Sequence, residues 1–352
     1  MNINLITDKS NINFFLEEIN KSQIISVDTE FIREKTYYPI LCLIQLAVNG
    51  NVFIFDCLDK NKNVSVLKNI FKNRKYKKIF HDYEQDLDII NDFFSIETTN
   101  FFDTQLANAF IDLEHHISYK NLVKKYLNIE IDKELQTSNW IKRPLTNKQI
   151  NYAANDVIYL EKIYQKISII LENEKKGNWY KEELEKVLRD NKSKKDPINS
   201  WKKIKLSDFS GINKNLFIML SKYREDISRK RNIPKTWFLN DKNIIKLSSK
   251  KYLSIDELKK ERLDINKFFN SNDYSDLFKK FDFSENIPKK LKQKRTNVKK
   301  YQKLLLDLSE ELNISQQLVA NKKDLEKYFG SNKIQISGWR KKIFEQIKTK
   351  TN

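Results

Sequence analysis

Cysteine, histidine, glycine and proline are all scarce in this 352-residue chain. Two cysteines, Cys42 and Cys57, rule out a disulfide framework and favour a reducing compartment. Two Cys and three His do not supply the ligand set of a zinc ribbon or finger. The five glycines (Gly50, Gly177, Gly211, Gly330 and Gly338) form neither a dinucleotide fingerprint nor a phosphate-binding loop. With only five prolines beside them, collagen-like and linker-like composition is excluded. Met1 to Ser10 lacks a basic-then-apolar signal sequence, and no stretch approaches the roughly 20 apolar residues of a membrane span. The expectation is a cytoplasmic protein with no membrane partner and no evident obligate protein partner.

What the chain has is aromatic residues and positive charge. It holds 22 Phe, 15 Tyr and 5 Trp, and 39% of its residues are hydrophobic, enough for real cores. At about 150 residues per domain the length predicts two or three domains. Lys plus Arg number 66 against 47 Asp plus Glu, a formal net charge of +19. A general compositional bias toward lysine would spread this excess along the chain. Instead, residues 1–200 hold 29 basic and 29 acidic residues, and residues 201–352 hold 37 and 18. A neutral module is followed by a basic one, so a polyanionic partner is expected. The polar stretch from Asp190 to Pro197 reads as a linker, and a second break is expected from Ser284 to Pro288.

The first module alternates strand and helix patterns. Ile24–Asp28, Leu41–Val48, Val52–Phe55 and Lys78–Phe80 read as strands, with Asn49-Gly50-Asn51 as a hairpin turn. A helix is expected after Phe80, capped by Asp82, with Leu87, Ile90 and Phe93 on its apolar face. Thr146 and Gln149 match a capping box ahead of a helix with Ile150, Ala153, Ala154, Val157 and Leu160 at helical spacing. Together these elements predict a mixed sheet flanked by helices. Beyond residue 200 the patterns are nearly all helical, as in Leu216, Met219, Leu220, Tyr223 and Ile227.

Asp28 and Glu30 close the first predicted strand, two residues apart and on one face. Same-facing carboxylates at the end of an apolar strand repel one another and are costly to desolvate without a cation. Asp86 falls in the first turns of the helix after Phe80. Asp156 lies on the helix that follows Thr146, one turn beyond Tyr152. Four carboxylates from three elements can converge at one end of the sheet. Oxygen-only ligands suit Mg²⁺ or Mn²⁺, and a pair of such ions can act on a phosphodiester. Taken singly, each residue also has a plainer reading. Asp86 fits a helix-start carboxylate favoured by the dipole, Asp156 an exposed helix residue and Tyr152 a packing residue.

These stretches together resemble the ribonuclease D family, within the DEDD exonuclease superfamily of RNase H-like fold. The first motif is Val27-Asp28-Thr29-Glu30-Phe31, continuing through Arg33, Thr36-Tyr37-Tyr38-Pro39 and Leu41-Cys42-Leu43-Ile44-Gln45. The second is His81-Asp82-Tyr83-Glu84-Gln85-Asp86-Leu87, followed by Phe102-Asp103-Thr104-Gln105 and by Trp140 with Arg143-Pro144-Leu145. The third is Tyr152-Ala153-Ala154-Asn155-Asp156-Val157. The resemblance covers about the first 180 residues densely. It implies that Asp28, Glu30, Asp86 and Asp156 hold two divalent cations, Mg²⁺ or Mn²⁺. It also implies that Tyr152 helps position the attacking water, the tyrosine subtype of the superfamily. Gln45, His81 and Arg143 are candidate substrate contacts, each with a structural alternative. Arg143 beside Pro144 can meet a phosphate or anchor its loop.

Residues 201–352 resemble, more loosely, the helical HRDC domains that follow the nuclease in this family. The first runs over about 201–283, with Tyr223-Arg224, Ile233-Pro234, Phe238-Leu239 and later Leu253, Ile255 and Leu258. The second, 289–352, ends in Gly338-Trp339-Arg340. The expected organisation is an α/β exonuclease domain over 1–190 followed by two small all-α domains. The resemblance implies a metal-dependent 3′→5′ exoribonuclease. It would trim tRNA precursors and other structured RNAs at unpaired 3′ ends, releasing nucleoside 5′-monophosphates. The lysines of the basic part would neutralise phosphates without reading sequence. A DNA exonuclease on the same motifs and a non-catalytic RNA-binding protein are the alternatives.

Overall fold

The apolar run that begins at Leu41 becomes the inner strand of a sheet. In the computed structural model, residues 2–6, 9–58, 64–131, 138–205, 211–249, 298–329 and 336–350 are described. The break expected at Ser284 to Pro288, the basic run from Lys289, and Leu253, Ile255 and Leu258 lie outside them. The strands are β1 (Asn2–Leu5), β2 (Ile24–Ile32), β3 (Ile40–Val48), β4 (Asn51–Asp56), β5 (Lys77–Phe80) and β6 (Phe101–Asp103). Their order is β1-β4-β3-β2-β5-β6. β2, β3 and β4 pair antiparallel, and β1, β5 and β6 add in parallel. The expected mixed sheet is present, with two more strands than the sequence patterns show. β3 is buried from Leu41 to Val48, which is why its pattern is a continuous apolar run rather than an alternation. Asn49 and Gly50 both take positive φ, the conformation that a two-residue hairpin between twisted strands requires.

The helices of this part are α1 (Lys9–Ser22), α2 (Ser65–Lys72), α3 (Glu84–Phe94), α4 (Thr104–Asn108), α5 (Tyr119–Leu127), α6 (Asn147–Ile158), α7 (Leu160–Asn173) and α8 (Gly177–Lys195). The capping box at Thr146 and Gln149 is complete in both directions. Three sequence expectations need correction. Asp82 does not cap α3: it sits at φ 60°, and Tyr83 occupies the cap position with its N–H donating to Asp103 Oδ2 at 2.8 Å. Phe94 takes the place expected for Phe93, which is 46% exposed, because Phe94 lies seven residues after Leu87 on the same helical face. The stretch from Asp190 is no irregular linker. α8 runs through it to Lys195, and Asp196 then caps a 3₁₀ helix at Pro197–Lys203.

By compactness the chain divides into two units. The first joins residues 1–32, 40–184 and 295–352. Its C-terminal helices are α12 (Lys299–Glu311), α13 (Gln316–Val319), α14 (Lys322–Phe329) and α15 (Trp339–Thr349). They share one hydrophobic core with α4, α5 and α7, in which Phe110, Leu122 and Ile163 meet Leu305, Trp339 and Phe344. The buried Lys176 ammonium donates to the carbonyls of Leu312 and Asn313. Trp339 stacks on Trp179 with centroids 5.5 Å apart, and its indole N–H donates to Glu183 at 3.1 Å. Gly338, at φ 69°, precedes it where a Cβ would run into the Glu182 carboxylate, so a side chain there would strain the backbone and displace that carboxylate.

The second unit joins residues 33–39 and 185–294. Besides the end of α8 and the 3₁₀ helix, its described helices are α9 (Lys214–Arg231), α10 (Lys235–Phe238) and α11 (Asp241–Ser248). Leu216, Phe217, Leu220, Phe238, Ile244 and Leu247 form its core. The positive excess is therefore shared: residues 201–294 carry +12 and residues 295–352 carry +7.

Candidate active site

Three elements bring the site together, each for a local reason. β2 leaves its apolar run at Asp28, and strand alternation sends Asp28 and Glu30 to one face. α6 lies on β2, β3 and β4. The small residues Ala153 and Ala154 in its buried face let it approach the sheet closely. That seat brings Asp156, from the last turns of α6, to the pair on β2. Carboxylate oxygens of Asp28, Glu30 and Asp156 all lie within 4.8 Å of one another, and all three residues are partly buried. Asp86, buried in the first turn of α3, lies outside that set of three and joins through Thr29, whose hydroxyl donates to its Oδ1.

Further contacts orient these groups. Gln45 stands opposite Asp28 across the β2–β3 ladder and donates from Nε2 to Asp28 Oδ2 at 2.9 Å. It is fully buried. Tyr152, one turn before Asp156, hydrogen-bonds to it and packs beside Trp140. The Tyr119 hydroxyl donates to the carbonyl of Asn155 at 2.9 Å, bracing the turn that carries Asp156.

The electrostatics are those of a site built for cations. Burial first, then repulsion from Asp86, Asp156 and Glu30, holds the Asp28 carboxyl well above the usual carboxylate range. Burial, with Asp156 and Asp86 adding repulsion, pushes Glu30 up to about 9. Asp86 is pushed up to about 7, mainly by burial. Burial and then the negative charge of Asp156 raise the Tyr152 phenol, so it stays protonated at neutral pH. Closely spaced oxygens with suppressed ionisation fit a hard divalent cation, which would restore all of them to the charged form.

Of the three expected substrate contacts, none stands free beside the carboxylates. Gln45 is committed to Asp28. His81 meets the Thr104 hydroxyl through Nδ1 at 3.0 Å and packs its ring 5.6 Å from that of Tyr119. Arg143 pairs with Asp56 through Nε and Nη2 and donates to the carbonyls of Trp140, Lys142 and Cys42. Of the two readings open to it from the sequence, these contacts are those of a loop anchor. Thr29 and Tyr119 carry roles that the motifs alone do not reveal. Thr29 has a signal, since it lies between two site carboxylates. Tyr119 has none, because its partner is a backbone carbonyl 36 residues away.

A family model described as a 3′-5′ exonuclease matches residues 3–172. The chain is 32% identical to Ribonuclease D of Jannaschia sp. (strain CCS1) over 243 residues, 68% of this chain and 63% of that protein, so this match spans less than two thirds of the relative's length. It is 28% identical to Ribonuclease D of Sphingobium indicum over 357 residues, 97% of this chain and 92% of that one. Its fold is similar to the crystal structure of Escherichia coli RNase D, an exoribonuclease involved in structured RNA processing. The TM-score is 0.79 at 23% identity, covering 99% of this chain and 98% of that one.

Proposed function

The chain belongs to the ribonuclease D family of 3′→5′ exoribonucleases, and from that premise we propose that it trims the 3′ ends of tRNA precursors and other structured RNAs. The observation that carries the reading is the cluster of Asp28, Glu30 and Asp156 on the shared fold. In this reading Asp28, Glu30, Asp156 and Asp86 hold two divalent cations, Mg²⁺ or Mn²⁺. The ions would lower the pKa of the attacking water and offset charge on the leaving 3′ oxygen. The protein's own groups orient and insulate. Gln45 fixes the Asp28 carboxylate, and Thr29 fixes that of Asp86. Tyr152, neutral at working pH, offers a phenolic hydroxyl to the water rather than acting as a strong base. His81 and Arg143 are assigned to packing and anchoring, on the contacts described above.

The proposal keeps residues 1–190 as the catalytic part and 201–283 and 289–352 as helical parts that hold RNA through phosphate contacts. It also keeps a cytoplasmic location, where tRNA precursors are made, in agreement with two free thiols. Among the described residues no helix is long and apolar enough to cross a membrane. The test is digestion of a tRNA carrying an unpaired 3′ tail, with Mg²⁺ or Mn²⁺ and with EDTA. The expected result is stepwise, metal-dependent shortening to nucleoside 5′-monophosphates, faster than on a matched DNA tail. An intact tail in every metal would overturn the reading.

A further inference from the structure

Asp103 is a buried carboxylate outside the set that would hold the ions. It closes β6, stands opposite Phe80 across the β5–β6 ladder and is 1% exposed. Burying a carboxyl group is costly unless donors satisfy it. Here the donors are backbone N–H groups. Oδ1 accepts from Leu106 at 2.6 Å and so caps α4. Oδ2 accepts from Tyr83 at 2.8 Å, and the Asp82 N–H adds a third contact. One side chain therefore serves the starts of two helices, α4 beside it and α3 some twenty residues earlier in the chain.

The turn that Asp103 holds is the one from which Asp86 hangs. Asp82, at φ 60°, takes the left-handed conformation, which is uncommon outside glycine and persists where the surroundings fix it. Tyr83, at the cap position, offers α3 no side-chain bond, so the first turn depends on its main chain. The Tyr83 N–H is fixed by Asp103, and the Tyr83 carbonyl accepts from the Leu87 N–H at 2.9 Å. Asp86 lies inside the turn that this second bond closes. Its carboxylate is held from the sheet side by the Thr29 hydroxyl.

Asp103 is itself fixed. Its N–H donates to the hydroxyl of Tyr180 at 2.8 Å, and Tyr180, buried on α8, packs its ring 4.7 Å from that of Phe102. The next residue, Thr104, donates from its hydroxyl to the carbonyl of Phe80 at 3.0 Å. A cap for α4 alone would use one carboxylate oxygen. The other oxygen goes to a distant turn, and what that turn carries is a site carboxylate.

We propose that Asp103 is a positioning residue of the reaction: by fixing the Asp82–Tyr83 turn it sets the first turn of α3, and with it the place of the Asp86 carboxylate relative to Asp28, Glu30 and Asp156. The proposal rests on the exoribonuclease reading and deepens it. Asp103 acts through the main chain of Tyr83, and Tyr180 acts through Asp103. Groups that orient a metal ligand from behind govern metal affinity without touching the metal.

The test is calorimetric titration of the full chain with Mn²⁺, beside digestion of a tailed RNA. Asp103→Asn keeps the volume and takes one acceptor away. It is expected to weaken Mn²⁺ binding about tenfold, the low end for a group that orients a ligand, and to lower kcat with little change in KM for RNA. Asp103 also faces Asp86 as a like charge, so a variant that keeps every charge separates position from electrostatics. Tyr180→Phe removes the hydroxyl that holds the Asp103 main chain and is expected to weaken Mn²⁺ binding a few-fold. Adding either change to Asp86→Asn is expected to cost nothing further, because the carboxylate being positioned is gone. Unaltered Mn²⁺ affinity in both variants overturns the proposal. A loss in Asp103→Asn alone also overturns it, because it shows an effect of charge. The same loss in the Asp86→Asn background overturns it as well, because a general loosening reaches the other three carboxylates. Should Asp103→Asn not fold, Tyr180→Phe decides by the same readings. Failure of the nuclease reading is a separate result: the wild-type protein would then leave the tail intact in metal, whatever Mn²⁺ binding shows.

Discussion

Gln45 donates a 2.9 Å hydrogen bond to Asp28 from the directly opposing position of the neighbouring strand. A polar side chain in the buried part of an apolar strand is expensive unless it is satisfied; Gln45 Nε2 has a site carboxylate as its partner, while its buried Oε1 has no hydrogen-bond partner among the described residues. Replacing Gln45 by Leu keeps the volume and removes the donor. The metal concentration giving half-maximal activity should rise by about ten- to a hundredfold, the usual cost of losing a group that orients a ligand. KM for RNA should hardly move. A raised KM with an unchanged metal requirement would return Gln45 to the substrate contacts.

The clustered carboxylates predict a pH dependence with a definite sign. Burial and mutual repulsion raise Glu30 to about 9, and Asp28 is raised as well. The folded, metal-free protein therefore holds protons that the unfolded chain releases near pH 4 to 5. Stability is fully present below that range and falls as pH rises toward 9. Melting temperatures between pH 5 and 9 in EDTA should decline, while Mn²⁺ should restore them, most strongly at high pH. A metal effect independent of pH would contradict the linkage.

The same repulsion makes Asp28→Asn informative in two directions. Asparagine is neutral folded and unfolded, so the cost of protonating Asp28 on folding without metal disappears and the melting temperature in EDTA should rise. Cleavage should fall by more than ~100-fold, beyond the range for outer residues. Calorimetry and single-turnover digestion of one preparation measure both. A variant that is less stable and still active would remove Asp28 from the site.

The site was more legible than the frame around it, for physical reasons. Asp28 and Glu30 stand out because paired charge at the end of an apolar strand leaves a mark on the sequence, whereas Asp156 alone reads as an exposed helix residue and is singled out only by the resemblance. β1 and β6, four and three residues long, are too short for any period to show. The cap of α3 is not legible in the sequence because the Tyr83 N–H is satisfied by Asp103, a partner twenty residues away. The roles of Gln45 and Arg143 depend equally on distant partners, Asp28 and Asp56. Charge counting located the basic part, but only the fold shows that part of it shares a core with the nuclease module.

Tyr152 should not appear as a titrating base. Burial and the nearby carboxylates hold its phenol protonated well past neutrality. The pH profile of kcat should therefore rise with deprotonation of carboxylates and show no loss from the phenol up to about pH 9. Tyr152→Phe should lower kcat by about 10²-fold, at the low end for a positioned proton-handling group, without changing the shape of that profile. A shifted or flattened alkaline limb in Tyr152→Phe would show that the phenol itself ionises during turnover.

Trp339 tests whether the C-terminal helices are part of the catalytic module's stability. Its indole lies between Trp179 and Phe110, 5.5 and 5.1 Å away, and the adjacent Arg340 pairs with Glu183. A nearly buried tryptophan replaced by alanine leaves a cavity and typically costs about 3–5 kcal/mol. If α15 were merely an RNA-holding appendage, that loss would be confined to it, and the nuclease core would melt as before. The shared core predicts otherwise. Trp339→Ala should lower the denaturant midpoint of the whole first unit in one transition, followed through far-UV circular dichroism. Trp179→Ala, across the stack, should cost less in the Trp339→Ala background than alone, because the two rings support each other. Two separate transitions, or strictly additive losses, would show that the C-terminal helices fold apart from the carboxylate site.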